Sequence, residues 1–275
     1  VSAALTTEAA RDTRARLPIS RPPGQGRLTT VLAPLVLGAV VIGLWQLAVE
    51  VLDIDPYVIP APSDIWREVA DNHATILDGM RATGRNALIG MLAGALVGVA
   101  GAVLSSVVRV VDQMAVPVVA ALSVVPIVAL APVLYTLFGA AVDTARILVA
   151  ALSVAVPVYL NTLRGLRQVS AVHRDLMASY AAGPLQVVRA VTLPTAAPYV
   201  FTGLRIASSL AVISALIAEY FGGPIGGLGK SITSAASSSN YPLAWAYVVG
   251  AIALGLAFYG VTLLVELWAS RHTSS

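Results

Sequence analysis

Few side chains in this sequence could do chemistry, and their spacing narrows the choice further. His73, His173 and His272 lie far apart, in loops and a tail, and none has a partner at metal-ligand spacing. No metal site is expected. Cysteine is absent from the 275 residues, which excludes disulfides, iron–sulfur clusters and thiolate nucleophiles. The stretch GGPIGGLGKS, residues 222–231, superficially resembles a phosphate-binding loop. That loop requires Gly, four residues, then Gly-Lys-Ser, and here Pro224 stands where the first glycine belongs. It reads instead as a glycine-rich turn, re-entrant or at the surface, with Lys230 at an interface. No catalytic residue is expected.

Ionisable residues in apolar surroundings are the remaining candidates, because a charge in hydrocarbon is costly and marks function by default. Arg205 and Glu219 fit that description. On a common helix they stand about 21 Å apart, too far to pair. Arg205 lies about two turns from one end of its apolar segment and can snorkel; Glu219 lies near the other end, either interfacial or on a solute pathway. So few buried carboxylates leave little with which to bind a proton or sodium ion, which argues against ion-coupled transport.

These residues must be positioned by membrane helices. The chain is 57% hydrophobic and only 11% charged, with a mean hydropathy of +0.83, outside the range of soluble domains. Nothing alternates with period two over strand-length segments, so a closed barrel is excluded. Runs of about 20 apolar residues predict six spans, at 29–51, 84–107, 114–138, 144–164, 197–221 and 242–267. The first is too long for a signal-peptide core and reads as a retained anchor. The expected organisation is a flexible tail at 1–28, a six-span transmembrane domain at 29–268 and a second tail at 269–275.

Positive charge sets the expected orientation. Arg11, Arg14, Arg16, Arg21, Arg27, Arg109, Arg164, Arg167, Arg174, Arg189 and Arg271 fall on one side of the six spans. The opposite loops carry Asp53, Asp55, Asp64, Glu68, Asp71 and Asp78 against fewer cations. Both termini are therefore expected in the cytoplasm. On the outer side, Ser63 is expected to cap an amphipathic surface helix carrying Ile65, Trp66, Val69 and Ala70. Gly90, Gly94 and Gly98 form a smooth stripe, suited to packing within the subunit or, less readily, to a subunit interface. Pro117, Pro126 and Pro132 predict a broken or kinked third span.

The 165–196 loop between spans four and five is the main polar interruption. RDLMASYAAGPLQVVRAV predicts a short cytoplasmic helix with Leu176, Tyr180 and Val187 roughly aligned, stopped by the prolines of TLPTAAPY. Such an element suits docking to a soluble partner.

At this point the sequence resembles the permease subunits of type I ATP-binding cassette importers, in the branch handling sulfonates, taurine, nitrate, thiamine-precursor pyrimidines and riboflavin. The family loop reads E-A-A-x-x-x-G, nine residues, an aliphatic residue, one more, then Leu-Pro. Anchored on Leu193-Pro194, it places Val191 at the aliphatic site, Ala181 at the glycine and Asp175-Leu176-Met177 at E-A-A. IPAPSDIW, VPIVALAPVLYTLFG, VPVYLNTLRGL, LPTAAPYVFTGLRIASSLAVISALIAEYFG and GGLGKSI extend the resemblance over residues 58–268.

The resemblance implies an all-α membrane protein with six transmembrane helices and a coupling helix over 175–187. It implies two separate ATPase subunits that bind ATP and magnesium, an extracytoplasmic solute-binding protein, and a bacterial cell-membrane location, with no cofactor in this chain and no role for nucleic acid. Coupling falls to Asp175, Ser179, Tyr180, Ala181, Gly183 and Leu185, with Leu193 and Pro194 fixing the exit. Helix polarity nominates Ser123, Pro126, Ser153, Ser209, Ser214 and Glu219 for the pathway. Departures at Leu176, Met177 and Ala181 suggest pairing with a second, different permease. AEYFGG and SSSNYPLAWAY lean towards a pyrimidine or riboflavin substrate over a sulfonate, taurine or nitrate. An ion-coupled carrier and a non-transporting scaffold are the alternatives.

Overall fold

Small residues decide which helices of this chain meet. In the computed structural model, which describes residues 27–223 and 226–273, every described element is helical: α1 (Arg27–Val51), α2 (Pro62–Asp71), α3 (His73–Val107), α4 (Arg109–Val124), α5 (Ile127–Phe138), α6 (Thr144–Leu166), α7 (Ala171–Ser179), α8 (Pro184–Val187), α9 (Leu193–Phe221), α10 (Leu228–Ser237) and α11 (Tyr241–Thr273). The tail expected at 1–28 lies outside the described residues except for its last two, which open α1.

Helices α3, α6 and α9 form the centre. The stripe Gly90, Gly94, Gly98 runs along α6: a Cβ on Gly90 would sit 2.6 Å from the Ala150 Cβ, and one on Gly98 2.7 Å from the Ala155 carbonyl. The glycines therefore serve packing inside the subunit. Across the α6/α9 contact, Gly203 faces Asn161 and Val158, and Gly165 faces Tyr199. Ala87, Ala150, Val154, Ala207, Ala211 and Ala215 fill the buried centre. Lipid tails are as apolar as these side chains, so close backbone approach supplies the attraction that burial from water supplies elsewhere.

Among the described residues, five helices are long and apolar enough to cross a membrane, and a sixth span results if α4 and α5, bent by 103°, count together. The bend falls at Val125-Pro126, as the prolines predicted. Helix α3, at 35 residues, is about 52 Å long and overreaches a hydrocarbon core of about 30 Å.

Two local expectations are corrected. Ser63 does not cap α2: Ala61 occupies the cap and Pro62 the first helical position, where its missing N–H costs nothing. Gln46 of α1 acts instead, its Oε1 accepting from the Ser63 N–H at 3.0 Å and its Nε2 donating to Ser63 Oγ at 3.0 Å. Nor do the prolines of TLPTAAPY stop a helix. From Pro184 to Phe221 the chain is one continuous helical rod, because a π-turn at Val188–Thr192 precedes Leu193-Pro194. The Leu193 N–H reaches Val188 O, five residues back. That wider turn accommodates a proline with no donor of its own. Pro198 is carried inside α9 as well, and its carbonyl accepts from Thr202 Oγ1.

Candidate functional site

Polar groups gather at both ends of the bundle. At the end bearing α7, Ser170 caps the helix, its Oγ accepting from the His173 N–H. Helix α7 closes in a Schellman turn: the Ala182 N–H reaches Met177 O at 3.0 Å and the Ala181 N–H reaches Ala178 O at 2.9 Å. Ala181 occupies the left-handed position, with φ +53°. This is the position at which the sequence resemblance expects a glycine, the residue that a left-handed conformation favours. An L-residue held there costs about 1–2 kcal/mol. Ala181→Gly should therefore slow amide exchange at Ala182, whereas Ala181→Val should accelerate it; equal exchange in all three chains would contradict the turn.

The single helix expected over 175–187 is therefore corrected to two, α7 ending at Ser179 and α8 starting at Pro184; after the turn, Gly183 N–H donates to Gln186 Oε1 at 2.8 Å, and α8 leads into α9. Helix α7 has at most marginal contact with the bundle. Asp175, Ser179 and Ala181 are exposed and Gly183 is half-buried. Leu176, Tyr180 and Leu185 present 50%, 77% and 65% of their surface. These coupling candidates thus stand together on a helix-turn-helix whose exposed apolar side chains nothing among the described residues covers. Leu193 and Pro194 lie where the π-turn joins α9.

At the opposite end, bearing α2, the structure assembles a cluster that the order of residues along the chain does not announce. Glu219 is fully buried, not interfacial. Its carboxylate accepts from Thr83 Oγ1 at 2.9 Å and from the Gly229 N–H at 2.8 Å, and lies 3.8 Å from the Arg146 guanidinium. Thr83 in turn accepts from the Leu228 N–H at 2.9 Å. Glu219 and Thr83 together therefore cap α10 from α9 and α3, satisfying donors that a helix start leaves open.

Arg146, 2% exposed, also donates to Asp143 at 3.1 Å, and Asp143 pairs with Arg85. Glycines make room: a Cβ on Gly227 would strike the Glu219 carboxylate, and one on Gly223, at φ +103°, the Arg146 guanidinium. Gly223, Gly227 and Gly229 thus let the backbone pack directly on the ion pair.

Arg146 sits at the first turn of a predicted span whose charge-free stretch begins one residue later, at Ile147, and so went unnoticed. Arg205 does not simply snorkel. Its guanidinium lies 3.1 Å from Glu266 of α11, a carboxylate just past the charge-free stretch ending at Val265.

The pathway candidates are dispersed. Ser153 is buried and its hydroxyl donates to Val149 O of its own helix. Ser214 is buried in α9. Ser123 is exposed and bonds Val119 O, and exposed Pro126 marks the α4/α5 break. Ser209 faces an apolar groove between α9 and α11, with Val212, Leu216 and Tyr259. No group of His, Asp or Glu among the described residues could hold a metal ion.

Comparison with known proteins agrees with this architecture. A probable ABC transporter permease protein of Haemophilus influenzae is 27% identical over 83% of this chain and 93% of its own length. The riboflavin transport system permease protein RibX of Chloroflexus aurantiacus is 30% identical over 53% of this chain and 54% of its own. A crystal structure of an amino acid ABC transporter with histidines superposes with a TM-score of 0.61 at 15% identity, covering 72% of this chain and 95% of that one. Residues 89–272 match the family of binding-protein-dependent transport system inner membrane components. That match spans most of the membrane helices, and the chain belongs to this family of non-catalytic ABC importer permeases.

Proposed function

We propose that the chain forms half of a solute pathway and is driven by ATPase subunits that grip the α7 turn. The observation that carries this reading is the α7–α8 element, with Leu176, Tyr180 and Leu185 exposed and no surface among the described residues packed on them. Burying such side chains in a partner groove is favourable by about 1.5–3 kcal/mol each. Because α8, the π-turn and α9 are one rod, a push on the turn is delivered to α9, which carries Ser209, Ser214 and Glu219. Orientation follows from the arginines: the α7 end faces the cytoplasm and the α2 end faces the solute-binding protein.

ATP and magnesium belong to the partner, and six spans follow if α4 and α5 cross together. Asp175 and Ser179 flank the docking face, and Ala181 and Gly183 shape the turn. For the substrate, the AEYFGG and SSSNYPLAWAY stretches favour a flavin or pyrimidine over a sulfonate, taurine or nitrate. The departures at Leu176, Met177 and Ala181 favour a second, different permease in the complex. Purifying the intact complex and finding one permease species would remove that part.

Asp175→Arg tests the coupling. Reconstituted with its partners, the variant should insert normally but lose uptake and substrate-stimulated ATP hydrolysis. Undiminished uptake would end the coupling assignment. Uptake that followed a proton gradient without ATP would favour an ion-coupled carrier instead, and no uptake by the parent complex would favour a scaffold.

A further inference from the structure

Helices α10 and α11 fold back on each other through a short turn. Ser239, at φ +61°, reverses the chain: the Asn240 N–H returns to Ala235 O at 2.9 Å and the Ser239 N–H to Ala236 O at 3.0 Å, which closes α10. Asn240 Oδ1 then accepts from the Leu243 N–H at 3.2 Å and caps α11. The turn sets Tyr247 of α11 against α10, and the start of α3 adds a third wall through Thr75. Between them lies a cavity of about 370 Å³, within the range of roughly 300–1,000 Å³ of small-molecule sites.

Its lining is set apart by open polar groups. Helical hydroxyls in this chain commonly turn back on their own backbone, as Ser153 does to Val149 O, Thr202 to Pro198 O and Thr233 to Lys230 O. Thr75, Ser231 and Ser234 line the cavity, and their hydroxyls have no partner among the described residues. Tyr247 lines it too and is only 6% exposed, yet its hydroxyl is equally unpartnered among those residues. A buried hydroxyl left open costs about 1–3 kcal/mol, which a guest in the cavity returns. Lys230 brings the charge. It is the single lysine of the chain, and it enters none of the ion pairs among the described residues. Asp78, one turn along α3 from Thr75, is engaged by Arg81 at 2.8 Å. The first donors of α10, at Leu228 and Gly229, are taken by Thr83 and Glu219, so the attraction for an anion comes from side chains and not from the helix end.

We infer that this cavity binds a small organic anion, with its charged oxygens on Lys230 and the open hydroxyls and an apolar body against Leu243 and Ala235. Donors from three helices converge on one concave space, which suits a compact ligand better than a flat docking partner. Thr75 lies nine residues before the span expected at 84–107, about 13 Å along α3. The cavity therefore opens beyond the hydrocarbon, where a water-soluble anion reaches it. The site is independent of the coupling reading and of the substrate order, and its failure would leave both untouched.

A single lysine makes the site directly observable. In the full-length chain, held in phosphatidylcholine nanodiscs, reductive methylation of Lys230 by formaldehyde and dimethylamine-borane is followed by peptide mass spectrometry. Benzenesulfonate and benzoate should slow it in a saturable way, whereas benzyl alcohol, similar in size but uncharged, should not. Tyr247→Phe, which removes only the hydroxyl, should weaken the protection about two- to tenfold. Ser237→Ala, on α10 but outside the cavity, should leave it unchanged. Lys230→Gln should abolish benzenesulfonate binding in saturation-transfer NMR. Protection that benzyl alcohol matches, or that Tyr247→Phe leaves intact, would overturn the site. So would protection that appears only with phosphatidylglycerol in the nanodisc, which would mean a lipid headgroup, or only as the chain is concentrated, which would mean a second copy.

Discussion

Arg146→Met is expected to cost about 3–5 kcal/mol of stability, and adding Glu219→Met should return much of it. The reason is the asymmetry of buried ion pairs. Removing the guanidinium leaves Glu219, fully buried, as a carboxylate supported only by neutral donors, Thr83 and the Gly229 N–H. Removing both charges leaves apolar side chains of similar volume. Glu219→Gln should be milder than Arg146→Met, because Arg146 keeps Asp143 at 3.1 Å and the amide oxygen still accepts from Gly229. The order of apparent melting temperatures in mild detergent, parent highest, then Glu219→Gln, then Arg146→Met, checks the argument. An Arg146→Met chain that melted with the parent would show that the pair carries no weight.

A second consequence of the cluster is local. Glu219 holds the start of α10 through Gly229, so Glu219 variants should loosen 226–237 before the central helices. Faster amide exchange confined to α10 is the expected signature. Exchange that rose uniformly would instead mean that the cluster supports the whole bundle.

Gly94→Leu is expected to be the most damaging single change in the membrane core, at about 3 kcal/mol or more. A Cβ there would drive into the Ala151 carbonyl and lie 2.9 Å from the Val154 Cβ. Neither obstacle can swing aside, since one is backbone and the other the root of a β-branched side chain on α6. Helices α3 and α6 would have to separate, forfeiting the contacts that Gly90 and Gly98 make on either side. The control is built into the chain. At Gly43 and Gly255 an added Cβ would meet nothing within 4 Å, so leucine at either should be tolerated. Size-exclusion profiles of the three variants decide the matter: aggregation of Gly94→Leu beside monodisperse Gly43→Leu and Gly255→Leu is expected. Equal behaviour of all three would mean that the α3/α6 seam is not what holds the bundle.

How much was legible beforehand differs from element to element. Spans built on unbroken apolar runs, such as α1 and α6, were readable because hydrocarbon demands a fixed length of uncharged helix. The α4/α5 break was readable from Pro126. Other proline signals misled. Pro194 looked like a stop, yet a π-turn at Val188–Thr192 carries the helix past it, and no pattern of residue types announces a π-turn. Ser63 looked like a cap because serine often is one, but it lies two residues past the cap Ala61, and its own open N–H is met by Gln46, seventeen residues earlier.

The candidate site divides along the same line. Asp175, Tyr180 and Leu185 are neighbours in the chain, so the polar segment could be located from local pattern and the Leu193-Pro194 landmark. Thr83, Arg146, Glu219 and Gly229 come from four separate segments and meet only when α3, α6 and α9 pack.

By itself, then, the sequence determined an all-helical membrane protein, most of its spans and the place of a polar segment between the fourth and fifth of them, though as one helix and not as a helix-turn-helix. These follow from the length of apolar runs, the sites of arginine and the order of neighbouring residues. Tertiary structure alone decided that Glu219 is buried rather than interfacial, that Arg205 is met by Glu266, and that Gly223, Gly227 and Gly229 pack over an ion pair. The physical reason is that a buried charge is tolerated only if its partner arrives from elsewhere in the fold. Which residue arrives is settled by helix packing, in which the Gly90, Gly94 and Gly98 stripe sets how closely α3 and α6 approach.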